Sequence, residues 1–174
     1  MNEITATILC FLKEIGLVYH LEKIEEASLL PGLQLINGER IIDIEKLLYP
    51  GDILHEAGHL ACMPYDIKKT MSGDLEDIDL HQGGEMLAIA WSYAATRYID
   101  LDPAIVFHEH GYRNGSQNII DNFNNDHTFG VPLLQWYEMC YDIKTAALLN
   151  AKPFPEMISW MCVVNKYEAK ILHQ

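Results

Sequence analysis

The sequence predicts an α+β fold, mostly helical, with a small sheet set beside one buried helix. Three observations lead there. Apolar residues recur at helical spacing in residues 2–15 and again in 85–98. Asn37-Gly38, placed between two short apolar runs, is the strongest two-residue signal for a β-hairpin. Residues 50–63 hold two histidines within an apolar run that prolines bound at both ends. With 174 residues and 49% hydrophobic content the chain can bury one full core, and no low-complexity tract or repeat divides it. Residues 1–174 therefore read as a single domain.

In residues 2–15, Ile4, Ile8, Phe11, Leu12 and Ile15 line one face of a helix, which Gly16 stops. Residues 17–26 show no clear period, and His20 among them reads as a surface or hydrogen-bonded histidine. The hairpin follows, with a type I′ turn at Asn37-Gly38. Alternation puts Leu33, Leu35 and Ile42 on one face and Gln34, Ile36, Glu39 and Ile41 on the other. Pro50 can open the next helix, and Pro64 ends it near Met63. Gly58 inside it costs about 1 kcal/mol relative to Ala, which calls for a close neighbour.

Residues 66–82 are polar, with Asp74, Glu76, Asp77 and Asp79 close together. The stretch from Asp74 to Glu85 begins and ends like a calcium loop, but Asp79 stands where an EF-hand needs Gly. It reads as a solvated loop. Gly83-Gly84-Glu85 then opens a helix over 85–98. Its Glu85 face carries Ala88, Ile89, Ser92, Ala95 and Thr96, mostly small, which suits a close helix–helix contact. Asp102-Pro103 starts a short helix through Ile105, Val106 and Phe107. Residues 111–130, rich in Gly and Asn, form a long loop with one helical turn near 119–123, and loops of that length are often functional. Pro132 begins a further helix, and the tail to residue 174 reads as one or two more, interrupted by Pro153 and Pro155. Residues 99–174 match no pattern that assigns them a chemical role.

The chemistry concentrates in His55-Glu56-Ala57-Gly58-His59. Residues four apart share a helix face, so His55 and His59 can present two imidazole nitrogens to one ion. Glu56, one position on, lies beside that ion and can hold and deprotonate its water. This H-E-x-x-H spacing resembles the metal helix of the zincin metallopeptidases. The resemblance covers the hairpin, the metal helix and the helix from Glu85. It implies a zincin-like architecture in which Zn2+ is held by His55, His59 and a third ligand on a second helix. Glu85, which lies 26 residues after His59, fits that place. Asp79 and His81 are its nearest rivals, His108 and His110 the next, and a Glu at a helix start is also favoured by the helix dipole without any metal.

The resemblance further implies a hydrolase acting on a peptide or protein, with Glu56 as general base. Its substrate would be laid along the edge of the strand before the metal helix. A Tyr or His would stabilise the oxyanion, with Tyr112, His108, His110, Tyr65 and His127 as candidates. A second function fits the same residues: a zincin-like regulatory or interaction protein that holds metal without turnover. Cys62, on the metal face of the helix, reads first as a small core residue and second as a neighbour or alternative ligand. His108-Glu109-His110 reads as a solvated helix end, because alternate residues share a face only in extended chain.

A formal charge of −13 with 12 Lys+Arg argues against nucleic acid, which needs a basic surface. The N-terminal residues include Glu3 and Glu14 and lack a cationic start, unlike a secretory signal. The longest apolar run, in residues 86–95, is too short to span a membrane. Four cysteines without C-x-x-C spacing point to free thiols and a cytoplasmic location. The oligomeric state leaves no signature.

Overall fold

Helix α1 (Glu3–Glu14) buries Ile8, Phe11 and Leu12 along one side, and the Asn2 side chain caps it by accepting from Thr5 N at 2.8 Å. The computed structural model describes residues 1–25, 28, 30–68, 72 and 81–163, side chains of residues 65, 66, 81 and 82 excepted. The acidic stretch with Asp74, Glu76, Asp77 and Asp79 therefore lies outside the described residues, as do residues 164–174.

Three strands make the sheet: β1 (Tyr19–Leu21), β2 (Leu33–Ile36) and β3 (Glu39–Ile42), in the order β1-β3-β2. The hairpin forms as expected, with Leu33 opposite Ile42 and Leu35 opposite Arg40. Leu33, Leu35 and Ile42 all face the core, and Arg40 is buried among them. Strand β1 adds in parallel, pairing Tyr19 with Arg40 and Leu21 with Ile42. Across the outer face His20 meets Glu39 at 2.7 Å. The strand directly before the helix that carries His55 and His59, β3, is thus paired on both sides and has no free edge. The hairpin's outer strand is β2.

The turn after β3 is organised by Asp43, whose buried carboxylate accepts from Ile24 N at 3.1 Å and Glu45 N at 3.0 Å. The bond from Ile24 leads in holding this carboxyl below its ordinary range; burial opposes it, and Glu45 N–H and Lys46 assist. A depressed folded pKa gives stability that is complete above the unfolded value, about 3.9, and is lost as pH falls through the folded pKa. Asp43→Asn is therefore expected to lower stability at neutral pH and to flatten its loss below about pH 4. Denaturation midpoints followed against pH would show it; parallel acid limbs for both proteins would refute it.

Helix α2 (Pro50–Ala61) begins at Pro50 as its composition requires, and a short helix α3 (Tyr65–Lys68) follows Pro64. Helix α4 (His81–Tyr98) packs across α2. A Cβ on Gly58 would stand 3.0 Å from Ala88 O and 3.2 Å from Ser92 Oγ, so this glycine permits the close approach that its presence signalled. The small face of α4 (Ala88, Ser92, Ala95 and Thr96) is fully buried. One expectation shifts: α4 starts at His81, so Gly83 and Gly84 lie within it and Glu85 is in its second turn. Among the described residues a Cβ on Gly84 would meet nothing within 4 Å.

Asp102 caps a single turn at Pro103–Ile105, its side chain accepting from Ala104 N at 2.9 Å. A tight left-handed turn follows at Tyr112–Asn114, then α5 (Ser116–Asn124), longer than the one turn expected there. Helices α6 (Val131–Trp136) and α7 (Ile143–Leu149) come next. Helix α7 is one of the one or two helices expected in the tail; beyond it the chain runs without a helix to residue 163. It is held by Trp91 Nε1 donating to Trp160 O at 3.0 Å and Cys162 N donating to Ala61 O at 2.7 Å. Trp160 meets both Phe11 and Trp91 edge to face where this segment covers α1 and α4. Among the described residues no helix is long and apolar enough to cross a membrane.

Candidate metal centre

Helix geometry brings His55 and His59 together, and the crossing of α4 delivers Glu85 to the same point. His55 Nε2 and His59 Nε2 are 3.1 Å apart, and Glu85 Oε2 lies 3.5 Å and 3.3 Å from them. Donors held by one ion at about 2.0–2.1 Å in tetrahedral arrangement stand roughly 3.3 Å from each other. The triangle fits. His55, His59 and Glu85 are thus one cluster that can hold a metal ion. His59 is buried, whereas the Glu85 side chain is 46% exposed, so the cluster opens on its carboxylate side.

The charges inside this cluster shape one another. Burial alone would depress the His55 imidazole, but the bond and charge of Glu85, with Glu56 and Asp52, leave its pKa raised. Burial likewise pushes Glu85 up, and the bonds and charges of His55 and His59 outweigh it, holding the carboxylate well below its usual range. An anionic oxygen beside two imidazoles is a donor set suited to a borderline transition metal and not to calcium or magnesium.

Glu56 points from α2 to the sheet. Its Oε2 accepts from Arg40 Nη2 at 2.7 Å, and the same nitrogen reaches Glu56 O at 3.4 Å. Both side chains are withdrawn from solvent, Arg40 at 5% and Glu56 at 14% exposed. Burial lowers the Arg40 pKa, with Glu56 opposing. A charge buried on the inward face of a strand is costly unless paired, and Glu56 is the partner that makes Arg40 tolerable. Sequence reading missed Arg40. The signal was there, since Arg40 alternates with Ile42 onto the buried face of β3.

Of the five residues considered for oxyanion contact, Tyr112 alone among those described reaches the cluster, its Oη 2.9 Å from His55 Nδ1. Burial, followed by the charges of Glu85, Asp52 and Glu56, keeps this phenol protonated. His108 is not a solvated helix end: its Nε2 meets Asp52 Oδ1 at 3.0 Å and its ring stacks on Tyr49 at 4.0 Å. Burial raises the Asp52 pKa, with His108 opposing. His108 is thus tied to Asp52, outside the metal cluster. His110 and His127 are exposed, and the Tyr65 side chain lies outside the described residues. Asp79 and the His81 side chain, the rivals of Glu85, lie outside them as well. Cys62 is buried, and burial together with Cys162 and Cys140 pushes its thiol well up; the core role holds and the donor cluster does not include it.

In comparison with known proteins, the chain matches no family model, no curated protein and no solved structure.

Proposed function

We propose that this chain is a zinc-dependent hydrolase of peptide bonds, as the zincin resemblance implies. The observation that supports it most is the convergence of His55 Nε2, His59 Nε2 and Glu85 Oε2 with Glu56 at the adjoining position of α2. Zinc bound there would supply Lewis acidity and bring water's pKa near 7. Glu56 is the general base: Arg40 grips Oε2, which fixes the carboxylate while Oε1 has no hydrogen bond among the described residues. That oxygen takes the proton from water and returns it to the leaving amine. The half-exposed side at Glu85 admits the substrate, and the β2 edge can pair with an extended peptide.

A second reading has its own support. The buried Arg40–Glu56 pair would also suit a protein that holds metal and a partner without turnover. One comparison separates the two. The zinc-loaded chain is given an unfolded protein and the cleavage is followed by mass spectrometry, with Glu56→Gln alongside. Under the hydrolase reading Glu56→Gln keeps its zinc and loses about 100-fold or more in rate. If neither protein cleaves while zinc is bound, the binding reading replaces it.

A further inference from the structure

We infer that Tyr112 is a positioning residue that locks His55 in the tautomer a metal ligand needs; this rests on the metal-site reading above. If His55 and His59 each offer an Nε2 lone pair to one ion, each neutral ring carries its hydrogen on Nδ1. At His55 that N–H meets Tyr112 Oη at 2.9 Å. At His59 the Nδ1 is buried with no partner among the described residues. The phenol oxygen accepts from His55, where a carboxylate or backbone carbonyl usually does so. The phenol's own hydrogen remains free to donate elsewhere. The Tyr112 ring stands edge-on to His55, 5.5 Å between centroids at 87°, and packs on Phe107 at 5.3 Å. It cannot turn away without breaking that layer.

The backbone supplies an independent observation. Tyr112, Arg113 and Asn114 have φ of 53°, 49° and 66°. L-residues enter this left-handed region singly and not in runs. Three in succession persist only where their surroundings over-determine them, and such conformations cluster at functional sites. Here the surroundings are specific. Gly115 N donates to Tyr112 O at 2.8 Å, Gly111 N to His108 O at 3.1 Å, and Ser116 Oγ to His108 O at 2.6 Å. The segment leading into the turn is then tied at two points to one face of α2, His108 to Asp52 and Tyr112 to His55. The turn is a clamp built on the metal helix, and its contact with the ligand is Tyr112.

Tyr112→Phe tests this while preserving the ring. Full-length wild type and variant are titrated with zinc against a chromophoric chelator. The expected result is one zinc in each, bound about 10–100-fold more weakly by the variant. A loss smaller than about tenfold overturns the assignment, because a ring that merely fills space would leave affinity untouched. If the variant fails to fold, nitrogen-15 spectra of zinc-loaded wild type decide: His55 must show a solvent-protected Nδ1–H. Ligation through Nδ1 overturns the inference. A wild type that binds no zinc overturns the metal-site reading with it, whereas equal binding by both proteins overturns only the role of Tyr112.

Discussion

Glu85→Ala is expected to weaken zinc binding more than about 100-fold, beyond the ~10–100-fold that loss of an outer partner costs, and to leave the fold intact. The first half follows from the donor triangle. Removing Glu85 leaves two imidazole nitrogens 3.1 Å apart with no third donor in the cluster among the described residues. The second half follows from exposure: a side chain 46% open to solvent contributes little packing. Metal loss and unfolding can therefore be separated. Zinc at 100 times its dissociation constant should stabilise wild type by about 2.7 kcal/mol. Thermal melts with and without zinc should show that increment in wild type and no more than about 0.4 kcal/mol in Glu85→Ala at the same concentration. An unchanged increment would move the third ligand to Asp79 or His81.

Gly51→Ala is expected to be the most damaging small substitution, costing about 3 kcal/mol or more. Alanine would favour the first turn of α2 by about 1 kcal/mol if the helix stood alone. In the folded chain its Cβ would collide with the backbone carbonyl of Ile105 and stand 2.6 Å from Val106 Cα. Both neighbours are main chain, so no rotamer relieves the clash, and close-packed interiors have no slack for it. The segment must lift from α2. It carries His108 and Tyr112, the two residues tied to Asp52 and His55, so zinc affinity should fall along with stability. Urea denaturation and a zinc titration on one preparation would register both. A change under about 1 kcal/mol would show that residues 103–107 do not lie against α2.

What could be read in the chain before folding was local. The hairpin register came from a two-residue turn and strict alternation, and the structure keeps it with Leu33 opposite Ile42. The close contact at Gly58 was foreshadowed by the cost of glycine in mid-helix together with the small face of α4. The start of α4 was misjudged by four residues, because two glycines argue for a boundary and only packing can carry a helix through them. Strand β1 went unread because a three-residue parallel strand owes its existence to a partner some twenty residues away, with no local period to announce it. Tyr112 and His108 were named among several candidates, yet nothing near them in sequence distinguishes the two that touch α2 from His110 and His127, which do not.

By itself the sequence determined that His55 and His59 share one helix face with Glu56 beside them, since 3.6 residues per turn leaves no other arrangement once the helix forms. It also determined that the hairpin before them would turn one face inward. The tertiary structure alone decided that Glu85 closes the triangle, that Arg40 takes hold of Glu56, and that Tyr112 stands behind His55. The reason is the range of the forces involved. Backbone periodicity acts over a few residues, whereas these three contacts join positions 16 to 57 residues apart or a helix crossing set by glycine and alanine. Their partners are chosen by packing, and packing exists only after the chain has closed on itself.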